Sequence, residues 1–173
     1  MARNNSGRGF VRELIEYHPN IVSNAQVNLL GQGGCFTRPP GSADLELARG
    51  VLAEMAVPGV VECFDEGLIA AEYFLQPAFP SLNLQYVRMN QSRRRFPLGR
   101  ARDAGKDAAN DAEYWDYLWG ADFSYQLMKL NQLDLSLHEA AMAEIRRQLR
   151  LVPNLAERRT AFQQRCRALE RAA

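Results

Sequence analysis

Three consecutive arginines, Arg93-Arg94-Arg95, with Asn90 and Ser92 just ahead of them, form the grouping in this chain best suited to binding chemistry. Guanidinium forks make charge-assisted, often bidentate bonds to phosphate and sulfate oxygens, each worth roughly 1.5 to 3 kcal/mol when partly desolvated. The same run also reads as a solvated charge face. From Arg88 to Lys106 seven positive charges stand against one Asp, after which Asp107, Asp111, Glu113, Asp116 and Asp122 reverse the sign. Two such neighbouring blocks can pair locally.

Other candidates fit known chemistries less well. Glu62, Asp65 and Glu66 make an acidic turn ahead of an apolar stretch, where carboxylates gain about 0.3 to 1 kcal/mol from the helix macrodipole without any catalysis. His138-Glu139 begins like a zinc-binding helix, but Met142 stands where a second histidine is required. His18 precedes a proline in a turn, and Cys35 has no evident base partner. Gly31-Gln32-Gly33-Gly34 is followed by Cys35-Phe36 rather than the Lys and Ser/Thr of a phosphate loop, so it reads as a flexible turn. Asn24 and Gln26 suit turn hydrogen bonds.

The elements that must position these residues follow from periodicity. Phe10, Leu14 and Tyr17 recur at helical intervals over 10–17, and His18-Pro19-Asn20 stops that helix. Residues 1–9 are expected to be disordered. Gly31 to Gly41, with four Gly and two Pro, is a loop. Ser42 is placed to cap a helix over 43–55, with Leu45, Ala48, Leu52 and Met55 on one face. Gly59 to Cys63 predicts a short strand, and Asp65 is placed to cap a helix bearing Leu68, Ala71 and Leu75 and ended by Pro77 and Pro80. Leu84 to Val87 predicts a brief extended piece. Helices are then expected over 112–130, 133–151 with Asn131 or Asp134 as cap, and 154–169. The aromatics between Tyr114 and Tyr125 are flanked by acids, which favours a core or interface face over a base-stacking platform.

At 173 residues and 47% apolar content the chain suits one domain, over 10–173. A net charge of +1 argues against a nucleic-acid partner, although Glu144 to Arg171 carries eight Arg against three Glu. Arg outnumbers Lys nineteen to two, which a GC-rich genome also produces. Cysteines at 35, 63 and 166 match no disulfide or zinc spacing, so a reducing, cytoplasmic setting is expected. No window approaches the roughly 20 apolar residues of a membrane span, and no signal-peptide core is visible.

Taken in order, Val57 to Leu75 (VPGVVECFDEGLIAAEYFL), the run Asn90 to Arg95 and the stretch Leu130 to Ala141 (LNQLDLSLHEAA) resemble the C-terminal half of the sulfotransferase family. Asn24-Ala25-Gln26 resembles an Asn-x-Gln stretch of that family, departing from it at Val27-Asn28. The resemblance, from about Phe10 to Leu149, implies an α/β, helix-rich, partial P-loop NTPase-like domain with one or two short strands and about five to six helices. It implies sulfuryl transfer from PAPS (3′-phosphoadenosine 5′-phosphosulfate) to a hydroxyl-bearing acceptor such as a carbohydrate or small molecule, with no metal. It places Asn90, Ser92, Arg93, Arg94 and Arg95 at the nucleotide and Asn24 and Gln26 at the acceptor. The family's phosphosulfate-binding strand, lysine loop and helix have no counterpart in the sequence, so independent activity is in question. Relatives commonly carry Tyr at the position of His138. The alternative is a non-catalytic helical interaction module that associates with a partner chain, including a second copy.

Overall fold

Helices Gly7–Tyr17 (α1) and Ser42–Glu54 (α4) follow the apolar spacing of the N-terminal third, and two short helices that the spacing does not announce, Pro19–Val22 (α2) and Ala25–Gly31 (α3), lie between them. The computed structural model describes residues 7–87 and 120–172. Helices Phe64–Leu75 (α5), Ala121–Leu130 (α6), Gln132–Leu149 (α7) and Leu155–Ala172 (α8) complete the described elements. The chain divides into two compact units, Met1–Met55 with Asp107–Ala141, and Ala56–Lys106 with Met142–Ala173.

In the first unit the core is Val27, Leu45, Ala48, Leu52 and Leu137, with Leu30, Met55, Leu133, Ala140 and Ala141 against it. The expected face of α4 is therefore the buried one. Its cap differs from expectation: Gly41 holds the N-cap position, and Ser42 is the first helical residue. Asp44, three residues into the helix, reaches back to accept the Gly41 N–H at 2.8 Å, the carboxylate half of a capping box. Helices α3 and α4 approach so closely at Gly31 that a Cβ there would lie 2.3 Å from the Asp44 carbonyl oxygen.

The loop after α3 is held, rather than flexible. Asn28, fully buried, accepts the Gly34 N–H on its carbonyl at 3.1 Å and the Phe36 N–H on its side-chain oxygen at 3.2 Å. It donates its amide to Gln32 at 3.0 Å. Gly33 and Gly34 take φ of 67° and 76°, where a Cβ would be strained.

The second unit corrects the expected strand. Among the described residues no strand forms. Val60 is extended (φ −125°, ψ 126°), but Val61–Cys63 close into a 3-10 turn that runs straight into α5. A strand needs a neighbour to accept and donate along its ladder; here the Val60 carbonyl is taken by the Cys63 N–H at 3.1 Å. Apolar, β-branched composition buries Val60 and leaves Val61 86% exposed, which is alternation without pairing. Residues 84–87, expected as a brief extended piece, form neither helix nor ladder.

Two helix starts and one buried face differ from expectation. Helix α1 starts at Gly7, ahead of the expected residue 10, while residues 1–6 lie outside the described set. The expected helix over 112–130 is described only from Gly120, whose φ of 82° and ψ of 144° put the start of α6 at Ala121. The buried face of α5 is Ile69, Ala70 and Glu72 rather than the expected Leu68, Ala71 and Leu75. The end of α5 matches Pro77, and Pro153 lies just ahead of α8, with Asn154 at φ 52° immediately before Leu155.

Candidate functional site

The carboxylates of α5 organise the second unit. Asp65 was expected to cap this helix, but no side-chain cap bond forms at its N-terminus. Its Oδ1 instead accepts the Tyr86 hydroxyl at 2.6 Å. Tyr86 packs edge-on against Phe64, centroids 5.1 Å apart, and tilted against Phe162 at 6.4 Å. Glu66 pairs with Arg159 of α8.

Two turns further along α5, Glu72 is buried and uses both oxygens. Oε2 accepts from Arg165 Nη2 at 2.5 Å, and Oε1 accepts the Leu84 backbone N–H at 2.8 Å. A buried carboxylate is tolerable only when its lone pairs are so occupied. Arg165 also lies over the Phe162 ring at 5.4 Å, and Arg158 lies over Tyr73 at 5.1 Å. The face of α8 turned to α5 is therefore Arg158, Arg159, Phe162 and Arg165, an arginine set committed to carboxylates and rings.

Glu144 is a third paired acid of this unit. Its carboxyl is held below the usual range, first by hydrogen bonds from Arg147, against the opposing effect of desolvation, and then by Gln148. The Arg147 bonds are 2.8 and 2.7 Å.

The residues expected to bind ligands fall in different places. Asn90, Ser92, Arg93, Arg94 and Arg95 lie outside the described residues. Asn24 is buried in the first unit at φ 50°, and its side-chain oxygen accepts the N–H groups of Leu133 at 2.9 Å and Asp134 at 3.2 Å. It thus caps α7 from more than a hundred residues away. Asp134 returns the arrangement, accepting the N–H groups of Gln26 at 3.0 Å and Val27 at 2.8 Å, the first turn of α3. Asn131 accepts the Asn24 N–H at 2.9 Å, and the Ser23 hydroxyl donates to the Leu130 carbonyl at 2.9 Å. So Asp134 caps the start of α3 rather than its own helix, and Asn131 joins the Asn24 N–H to the end of α6, where its side-chain amide donates to the Leu127 carbonyl at 2.9 Å. Gln26 keeps an exposed side chain.

His138 and Cys35 are exposed. His18, also exposed, lines an open cavity of about 320 Å³ with Glu13, Leu14 and Tyr17. Tyr17's phenol is pushed up by the Glu16 carboxylate beside it, which makes it a poorer acid. Among the described residues no group of three metal-ligating side chains occurs. None of the described helices is long and apolar enough to cross a membrane. The loop Gly31 to Gly34 does not form an anion cradle, because the Gly34 and Phe36 N–H groups turn inward to Asn28.

Sequence reading missed Glu72, Arg165 and Tyr86 as partners. The signal was present: Glu72 is the one charge in LIAAEYFL, and a carboxylate on an apolar helix face requires a buried partner. No protein-family model, curated protein or solved structure matches this chain.

Proposed function

We propose that this chain contributes the helix-rich, C-terminal portion of a PAPS-dependent sulfotransferase-type domain of P-loop-like α/β architecture. The family chemistry is sulfuryl transfer from PAPS to a hydroxyl acceptor by in-line displacement. In this reading Asn90, Ser92, Arg93, Arg94 and Arg95 contact the phosphates of the nucleotide. Gln26, with its exposed side chain, is the residue left for acceptor contact, since Asn24 is engaged in capping α7.

One observation carries the reading. The acidic turn of α5 is followed, within the same unit, by a segment whose Leu84 and Tyr86 are bound to α5 carboxylates, and the arginine run follows that segment in sequence. The carboxylate-bearing helix and the arginines belong to the family resemblance, and the held segment lies between them in sequence.

Isothermal titration with 3′-phosphoadenosine 5′-phosphate tests it. Wild-type protein should bind, and Arg94→Ala should bind about 10-fold more weakly, the loss expected for one charge-assisted bond. A wild-type chain that does not bind this nucleotide rejects the reading.

A second reading, a helical interaction module that pairs with another chain, is favoured by the arginines of α8. Arg158, Arg159 and Arg165 are engaged with Tyr73, Glu66 and Glu72, an arrangement that holds helices together. Light scattering at several concentrations would detect self-association.

A further inference from the structure

The apolar repeat of α5 is not the face it buries. Val61, Phe64, Leu68, Ala71 and Leu75 recur at alternating intervals of three and four residues, the 3.5-residue repeat by which one helix packs along another. Ile69, Ala70 and Glu72 are buried instead, and α8 is the helix packed on α5. Val61 stays 86% exposed and Phe64 49% exposed, while Leu68, Ala71 and Leu75 are half-buried. A Cβ at Gly67, beside this seam, would meet no atom within 4 Å, so a second helix has room to approach closely. The charges of α5 stand off the seam: Asp65, Glu66 and Glu72 engage Tyr86, Arg159 and Arg165.

The charge at its two ends selects the occupant. The start of α5 carries Glu62, Asp65 and Glu66 against Arg159, a net negative end. The far end carries Glu72 against Arg165 and against Arg158, which lies over Tyr73, a net positive end. A second copy laid antiparallel along the seam matches both ends at once, as a two-fold contact requires, whereas a parallel copy would set like ends together. We propose that α5 pairs antiparallel with α5 of a second copy along Val61, Phe64, Leu68, Ala71 and Leu75. This rests on the interaction-module reading above and names its surface and its partner. A helix of 12 residues is about 18 Å long, and such a pair buries less than the roughly 1,200 Å² of a stable complex, so the association is weak and concentration-dependent.

Sedimentation velocity on the full chain, over concentrations up to about 1 mM, tests it. Wild type should dimerise. Val61→Arg alters a side chain too exposed to matter for folding, and it should weaken the dimer about 10-fold by setting a cation against the partner's positive end. Val61→Glu should weaken it less. Leu68→Glu, at the middle of the seam, should abolish it, with circular dichroism to verify helix content; if that variant loses its helices, Val61→Arg alone decides. Leu47→Glu, on an exposed apolar residue of α4 in the other unit, should dimerise as wild type does. Dimers that form equally well in Val61→Arg and folded Leu68→Glu overturn the α5 seam and leave self-association standing. Val61→Glu weakening the dimer as much as Val61→Arg overturns the antiparallel arrangement. Wild type that stays monomeric throughout overturns the pairing and self-association together.

Discussion

Asn24 and Asp134, 110 residues apart, cap each other's helices: the Asn24 oxygen accepts the Asp134 N–H at 3.2 Å, and the Asp134 carboxylate accepts the N–H groups opening α3. Each helix N-terminus leaves four unpaired N–H groups, and here two on each helix are satisfied crosswise. Asp134→Ala should destabilise the protein by about 1 to 2 kcal/mol, the usual range for a lost cap. Asn24→Ala should cost more, because alanine also resists the left-handed backbone at φ 50°. Asn24→Gly should be more stable than Asn24→Ala by about 0.5 to 1 kcal/mol. Urea denaturation of the three variants checks this ordering, and equal losses for Ala and Gly would refute the backbone contribution.

Gly31 answers to a different constraint. A methyl group there meets the Asp44 carbonyl oxygen at 2.3 Å, and backbone cannot swing aside as a side chain can. Gly31→Ala should force α3 and α4 apart at a cost of about 1 to 3 kcal/mol or more. Thermal melting should fall by several degrees, since 1 kcal/mol is about 2 to 4 °C at this size. A Gly31→Ala melting point equal to wild type would contradict the close approach.

Acid should act through Asp44. Arg38 holds this carboxyl well below its ordinary range through bonds of 2.7 Å to each oxygen, and the Gly41 N–H adds to the effect. A carboxyl whose folded value is depressed adds stability above its unfolded value, near 3.9, and loses it as pH falls toward the folded value. Wild type should therefore be more stable than Asp44→Asn at pH 7, and the gap should close progressively below about pH 4. Chemical denaturation across pH 2 to 7 measures it. A gap constant with pH would show that the carboxylate's charge is not the cause.

Arg165 and Glu72 predict an asymmetry. Arg165→Leu leaves a buried carboxylate with only the Leu84 N–H, whereas Glu72→Gln keeps an acceptor and removes the charge. Arg165→Leu should cost about 1 to 3 kcal/mol, discounted because the arginine side chain is 41% exposed. In the double variant Arg165→Leu/Glu72→Gln much of that loss should return. Guanidinium denaturation of the single and double variants decides it; strictly additive losses would argue against the coupling.

Apolar spacing in the sequence was enough to locate α4 and its buried Leu45, Ala48 and Leu52, and prolines with glycines were enough to end helices near Leu75 and to set the loop after Gly31. These are local properties: a helix period and a restricted backbone angle act within a few residues. The strand expected at 59–63 failed for the complementary reason. Val-Val-rich composition suits a pleated surface, but a ladder exists only if another strand lies alongside, and among the described residues none does.

Of the candidate site, Asp65 and Glu66 were legible as an acidic turn, but Glu72 and the partners of all three were not. That Asp65 meets Tyr86, that Glu66 meets Arg159, or that Glu72 meets Arg165 and the Leu84 N–H is set by which helix faces pack together. The same holds for Asn24 and Asp134. The sequence by itself determined that Asn24 suits a turn and that Asp134 suits a helix start. Only the tertiary structure decided that each would serve the other's helix, because a terminal N–H accepts any oxygen that the fold brings within 3 Å or so, whatever its distance along the chain.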